Sequence, residues 1–382
     1  MTYDTRYPSI DDLRRRAKER MPRFAFEYLD GGCNEDVNLI KNTSDIREIE
    51  LIPRYLTQYP GANLKTELFG ATYDAPFGVA PMGLQGMLWP RAAEILAKAA
   101  VNSNVPFILS TVTTASIESV AKITDGKAWF QLYHPAEASL RDDILKRLEA
   151  SGYKVLVLLC DVPSFGFRPR DIRNGLSMPP SMSLRNMLQI LGRPRWALEA
   201  LAAGIPQFAT MKPYMKRAMG MNTLGTFMSK SFSGRLNEER IAPIRDQWKG
   251  KLVLKGVAGM GDAELAARLG FDGVIVSNHG GRQIDVGEST IHSLAPIVEK
   301  YKGTMKVMMD SGIRSGADVA RTLAAGADFT FLGRTFMYAV AALGSKGGDH
   351  AMAILKTQLQ QVMEQVGCEN VSDLVNYRVK RK

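Results

Sequence analysis

Cysteine is scarce: three residues, Cys33, Cys160 and Cys368, far apart and odd in number, in a chain of 382. That excludes a disulfide framework and gives no zinc-ligand spacing. Of four histidines, His134, His292 and His350 have no chemical context and read as surface or loop residues. No apolar run reaches the roughly 18 residues a spanning helix needs. The start, Met1-Thr2-Tyr3-Asp4 followed by Asp11-Asp12-Leu13-Arg14-Arg15-Arg16, has no apolar signal core, so a reducing, cytoplasmic compartment is expected. Acidic residues are nearly missing from one stretch. Between Ser164 and Leu236 eleven Lys/Arg face only Asp171 and Glu199, a net +9 out of the chain's +10. Eight of the 19 methionines fall in the same stretch. No nucleic-acid recognition motif interleaves with these charges. A basic, Met-rich and Pro-rich segment instead fits a surface for lipid head groups or for a partner.

The rest is ordinary globular composition, 45% hydrophobic and 23% charged, which is enough for a sizeable core. Pro8-Ser9 with Asp11-Asp12 makes a helix start, and Pro22 opens a second helix over Phe24–Leu29 that stops at Asp30-Gly31-Gly32. Residues 51–74 read as strand and turn elements closing one end of a domain. A rhythm then begins. Short apolar strands are predicted at Phe77–Ala80, Val105–Leu109, Trp129–Tyr133, Val155–Cys160, Leu252–Lys255, Gly273–Ser277, Lys306–Asp310 and Phe329–Leu332. Each is followed by a helical pattern, the fourth only after the basic stretch. Strands without alternation are buried on both faces. Eight strand–helix units favour a closed (β/α)8 barrel over an open sheet. The expectation is a single α/β domain over 1–382: a TIM barrel with N-terminal helices and a long insertion, 164–236, after strand four.

Active sites of such barrels lie at the C-terminal strand ends. Those ends here are Pro81-Met82-Gly83, Ser110-Thr111, Gln131 with Tyr133, Asp161, Lys255, Ser277 with His279 and Arg282, Asp310 with Gly312 and Arg314, and Gly333-Arg334. Nearly all are polar or Gly. In Ser-Asn-His-Gly-Gly-Arg-Gln (277–283), a histidine able to act as base stands beside glycines that let a ligand approach and an arginine that can fork a carboxylate. A base next to a carboxylate clamp is a way to take a proton from the neighbouring carbon. The turns after strands seven and eight, 310–316 and 332–334, each carry Gly and Arg and suit a phosphate. Lys255 at a strand end is costly unless paired. Read alone, Tyr28 fits a core position and Asp161 a helix cap.

Tyr133, Asp161, Arg168, Lys255, the 277–283 motif, Asp-Ser-Gly-Ile-Arg (310–314) and Gly333-Arg334 together resemble the FMN-dependent 2-hydroxy-acid dehydrogenase/oxidase family, from about Ile10 to Val375. Gly83-Leu84-Gln85-Gly86, Leu88-Trp89-Pro90 and Pro194-Arg195-Trp196 look closest to its membrane-associated mandelate and lactate dehydrogenases. The resemblance implies His279 as the base, with Asp161 orienting it. It implies Arg168, Arg282 and Tyr28 on the substrate carboxylate and Tyr133 at the hydroxyl. For the FMN ring it implies Lys255, Ser110, Gln131 and the Pro81–Gly83 backbone, with Ser277 a further candidate. Asp310, Gly312, Arg314, Gly333 and Arg334 fall at the phosphate end. No metal is implied; a homotetramer is. Two departures stand out. Leu159 replaces the family's usual Thr two residues before Asp161, and Val112 stands where glycolate oxidases carry Trp, leaving room for a larger substrate. Gly83 matches the mandelate dehydrogenases, whereas the oxidases tend to carry Ala. Three functions follow in order: a dehydrogenase oxidising an (S)-2-hydroxy acid with a quinone or other non-oxygen acceptor; an oxidase making hydrogen peroxide; or a silent barrel binding membrane or nucleic acid through 164–236. The intact base, clamp and flavin-edge set argues against silence and against a nucleic-acid partner.

Overall fold

The computed structural model describes residues 3–176, 183–204, 207–215, 232 and 234–380. Ser9 caps helix α1 (Ile10–Arg20) in a reciprocal box with Asp12, the start that Pro8-Ser9-x-Asp-Asp announces. Pro22 precedes α2 (Arg23–Asp30), and α3 (Val37–Arg47) follows. A hairpin, β1 (Thr66–Leu68) and β2 (Ala71–Tyr73), comes next.

Eight parallel strands then form the barrel: β3 (Phe77–Val79), β4 (Ile108–Ser110), β5 (Trp129–Leu132), β6 (Val155–Leu159), β7 (Lys251–Val257), β8 (Gly273–Val276), β9 (Lys306–Met309) and β10 (Phe329–Leu332). Neighbours in space follow sequence order, with β10 returning to β3. The last seam is a bridge between Val79 and Phe107. Every predicted strand forms, and each predicted helix lies within a few residues of its expected place.

The barrel interior is apolar: Ile108, Trp129, Val157, Val253, Ile275, Met308, Phe329 and Phe331 are all buried. Leu68 joins them, and Phe69 stacks at 5.6 Å on Trp129, so the β1–β2 hairpin plugs the N-terminal mouth. That is the closing role read from residues 51–74. With one end plugged and the middle filled by side chains, open space remains at the C-terminal ends of the strands.

A C-terminal helix beyond the eight strand–helix units, Gly347–Val366, packs on the helices Gly316–Ala324 and Arg334–Leu343. Among the described residues of the insertion, Pro169–Arg173, Leu184–Leu191 and Pro194–Ala203 are helical. No described helix is long and apolar enough to cross a membrane.

Candidate active site

A cavity of about 670 Å³ opens at the C-terminal strand ends. His279 lines it, just past β8, with the backbone in the left-handed region at φ +58°. His tolerates that conformation better than most side chains, and Gly280 and Gly281 continue it at +68° and +72°. The Ser277 hydroxyl accepts the His279 backbone N–H at 3.2 Å. His279 Nδ1 lies 3.1 and 3.2 Å from the two Asp161 oxygens. A carboxylate only accepts, so Nδ1 carries the hydrogen and Nε2 keeps its lone pair. Burial pushes the His279 pKa down, and Asp161 only partly opposes it. The ring is therefore neutral at neutral pH.

Asp161 fits because the next strand is bulged. Gly256 of β7 is at φ +99°, where the register with β8 shifts, and a Cβ there would come within 2.6 Å of the Asp161 side chain. The bulge also turns Lys255 into the site. Its ammonium lies 3.1 Å from Asp310 and donates to Ser277 Oγ at 2.9 Å. Burial acts against the charge, but Asp310 and Asp161 outweigh it and hold the Lys255 pKa above its ordinary value. A fixed cation thus stands at the cavity wall.

Arg168 and Arg282, expected to clamp a carboxylate, meet at the cavity. Arg168 donates to the Arg282 carbonyl at 3.2 Å and to Gln283 Oε1 at 2.9 Å. Arg282 donates to the carbonyls of Tyr28 and Gly31 at 2.7 and 2.8 Å and lies 4.6 Å from the centre of the Tyr28 ring. Its Nη2 is buried with no hydrogen-bond partner among the described residues. Burial, and the neighbouring Arg168, lower its pKa. Tyr133 and Tyr28 line the same cavity, and burial drives the Tyr133 phenol well up, so it stays protonated.

Pro81, Met82, Gly83, Lys255, Asp310, Gly312, Arg314, Gly333 and Arg334 line the cavity as well. Three of the expected cofactor residues have roles beyond the lining. Asp310 is the counter-ion of Lys255. Arg334 donates to the carbonyls of Leu29, Gly280 and Gly31 at 2.8, 2.9 and 2.7 Å, tying α2 to the His279 loop. Ser277 is not part of the lining; it holds Lys255 and His279 in place. Ser110 and Gln131 also sit behind the wall, bonded to each other at 2.8 Å. Gln131 Nε2 is nevertheless buried and unpartnered among the described residues. Leu159 is buried and offers no polar atom. Cys160 donates to the Lys255 carbonyl at 3.1 Å, and burial raises its thiol pKa far above the ordinary value, so it is inert.

These observations test the fit of FMN. An unpartnered buried amide donor, a paired lysine cation and two Gly/Arg turns after the last strands provide polar groups for the ring and the phosphate. The residues fit the group.

Sequence reasoning passed over several groups. Asp171 lines the cavity between the two arginines, three residues after Arg168 in a short helix; that spacing was a usable signal. Buried Asn278 bonds Asn42 at 2.8 Å and Asn38 at 2.7 Å, fastening α3 under the His279 loop. Ser311 accepts the Gly280 N–H at 3.0 Å. No local pattern marks these last pairings.

Comparison with known proteins agrees with this geometry. Residues 17–381 match the family described as FMN-dependent dehydrogenase. An L-lactate dehydrogenase of Pectobacterium atrosepticum is 37% identical over 366 residues, 96% of this chain and 95% of that protein. One of Xanthomonas axonopodis pv. citri is 38% identical over 367 residues, 96% and 94% of the two chains. The crystal structure of the monotopic membrane protein (S)-mandelate dehydrogenase superposes with a TM-score of 0.92 at 33% identity, covering 98% of this chain and 100% of that one. A mandelate oxidase does so at 0.83 and 29%, covering 98% of each. The chain belongs to the FMN-dependent dehydrogenase family and uses FMN as its cofactor.

Proposed function

We propose that this member of the FMN-dependent dehydrogenases oxidises an (S)-2-hydroxy acid to the 2-oxo acid, with His279 as the base. One observation carries the reading: a neutral imidazole, oriented by Asp161, shares a cavity with Arg168 and Arg282, and Arg282 Nη2 is buried with no hydrogen-bond partner among the described residues. The substrate carboxylate goes to Arg168 and Arg282 beside Tyr28, and the Tyr133 hydroxyl meets the substrate oxygen. His279 Nε2 takes the α-proton in a carbanion scheme, or the hydroxyl proton in a hydride scheme. Asp161 stabilises the imidazolium that results. Bound FMN supplies the acceptor for the electron pair, held by Pro81–Gly83, Ser110, Gln131 and Lys255 at the ring and by Gly312, Arg314, Gly333 and Arg334 at the phosphate, with Ser277 and Asp310 steadying Lys255. An anaerobic screen of flavin bleaching with glycolate, lactate, mandelate and longer hydroxy acids tests this. Absence of bleaching with every one of them would reject it.

The cavity lining also includes the apolar residues Leu84, Leu88, Val112, Leu176 and Phe208. It favours a substrate side chain larger than that of glycolate. A Cβ on Gly83 would come within 2.8 Å of Val112 Cγ2, so glycine suits the tight packing here. We assign a quinone or another acceptor other than dioxygen, in keeping with the glycine. Oxygen uptake that keeps pace with turnover would instead make the protein an oxidase. Because burial lowers the His279 pKa, the base stays unprotonated below the usual imidazole range. The acid limb of kcat/KM should fall below the ordinary value of about 6.5. A limb at or above that value would contradict the buried neutral base.

The insertion supports a peripheral membrane location on the cytoplasmic face. Leu184, Leu188 and Leu191 share one face of their helix and, with Leu198 and Leu201 of the next, are 61–76% exposed. Arg185, Arg193 and Arg195 flank them. The opposite faces are docked: Trp196 donates to the Leu88 carbonyl at 2.8 Å, and Gln189 accepts from Phe24 N–H at 3.0 Å. Apolar residues flanked by arginines suit a membrane interface. The attachment stretch is 178–225, of which 178–182, 205–206 and 216–225 lie outside the described residues. Native protein should sediment with anionic liposomes at low salt, and replacing 178–225 by a short Gly/Ser linker should release it while leaving flavin reduction largely intact, Phe208 being the cavity residue lost with the stretch. Failure of the native protein to sediment would leave the insertion as a lid or subunit contact. The assembly, by family resemblance a homotetramer, is read by light scattering.

A further inference from the structure

Arg168 uses Nε and Nη2 in hydrogen bonds, and Arg282 uses Nη1. Three guanidinium nitrogens of the clamp are left over among the described residues: Arg168 Nη1 and Arg282 Nε and Nη2. Of these, Arg168 Nη1 and Arg282 Nη2 both face one oxygen, Asp171 Oδ2, at 3.8 and 3.7 Å. Those separations are ion pairs but too long for hydrogen bonds. So the pair of cations is neutralised by half, at a distance, and its best donors converge on a point that a second carboxylate can occupy. Asp171 is buried, yet it lines the same cavity as His279. Its position is fixed from below: it belongs to the short helix Pro169–Arg173, and its carbonyl accepts Leu176 N–H at 2.8 Å.

We infer that Asp171 is a built-in competitor of the substrate carboxylate: it keeps the two arginines facing the cavity and sets how loosely they hold a 2-hydroxy acid and the 2-oxo product. The inference rests on the reading that Arg168 and Arg282 bind that carboxylate. Two adjacent guanidiniums without an anion would repel each other and splay. With Asp171 bonded tightly to both, they would have nothing to offer an incoming anion. The observed distances lie between these limits. An arriving carboxylate gains two charge-assisted hydrogen bonds and meets the repulsion of a second carboxylate across the guanidinium pair. Substrate and product carry the same carboxylate, so this repulsion weakens both equally. It raises KM and product Ki together and leaves the chemical step alone, as uniform binding does.

The sign of the effect separates this role from simple bracing. In the holoenzyme, Asp171→Asn keeps an oxygen for the arginines and removes the charge. KM for the 2-hydroxy acid and Ki for the 2-oxo acid should both fall about tenfold, with the rate of anaerobic flavin bleaching at saturation within about twofold of the parent. Asp171→Glu keeps the charge on a longer arm that can reach hydrogen-bond distance to both nitrogens, so KM and Ki should rise about tenfold. A residue that only braces the arginines would raise KM in both variants, and that result overturns the inference. Should the Asn variant not fold, Asp171→Ser, which keeps an oxygen without the charge, decides in its place: a lower KM and Ki support the inference, and an unchanged or higher KM refutes it. Arg282→Met is measured beside them. If it leaves KM unchanged, the carboxylate clamp itself is misplaced, a failure distinct from a wrong sign at Asp171.

Discussion

His279→Gln should lower the rate of anaerobic flavin reduction by about 10²- to 10⁴-fold, because glutamine can fill the space and donate to Asp161 but cannot take a proton. KM should change little, since the carboxylate is held elsewhere. FMN should remain bound: Lys255, Gly312, Arg314 and Gly333 are untouched, and the backbone of residue 279 still donates to Ser277 Oγ. A modest stability loss, about 0.5–1 kcal/mol, comes from placing glutamine at φ +58°. The measurement is single-turnover absorbance at saturating substrate, with flavin content determined on the same preparation. A variant that reduces its flavin at nearly the parental rate would remove the base from this site. A variant that loses flavin would show instead that His279 shapes the cofactor cradle.

The barrel was legible because each strand is a short apolar run buried on both faces, while each following helix changes period. That contrast marks the elements even where ends slip by one to three residues, as at Val105–Leu109 against Ile108–Ser110. The site was legible as a set of strand-end residues, since a (β/α)8 barrel places all of these at one mouth. Which way each side chain turns was not legible. Ser277 and Asp310 stand at strand ends like the others, yet they bond Lys255. Arg334 stands at the expected phosphate end, and three of its donors also close on carbonyls of α2, its following turn and the His279 loop. The pairings of Arg334 with Leu29 and Gly31 join residues some 300 positions apart, and no local period encodes them. The same holds for the α3 asparagines beneath Asn278. The N-terminal helix α2 and the turn after it supply carbonyls that hold Arg282 and Arg334.

Arg282→Met should cost the largest share of substrate recognition. Methionine fills the stem's volume but removes both the charge and the fork that meets a carboxylate. A charge-assisted bond at a buried site contributes about 2–4 kcal/mol, so kcat/KM should fall about 30- to 1000-fold. Most of the loss should appear in KM, since the carboxylate is held in the ground state as well as in the transition state. Secondary losses are bounded by the structure. The Gly31 carbonyl keeps Arg334 as a donor at 2.7 Å, so the end of α2 stays fastened. The Tyr28 carbonyl loses its Arg282 donor, and the Tyr28 ring loses its cation, which should lower the melting temperature without releasing FMN. Asp171 keeps Arg168 at 3.8 Å but loses the second guanidinium. In this variant, added guanidinium ion should restore part of the lost kcat/KM, because the missing piece is a planar cation in a preformed slot. A parental KM, or a loss confined to the bleaching rate at saturation, would mean that Arg282 acts on the reacting centre rather than on the carboxylate.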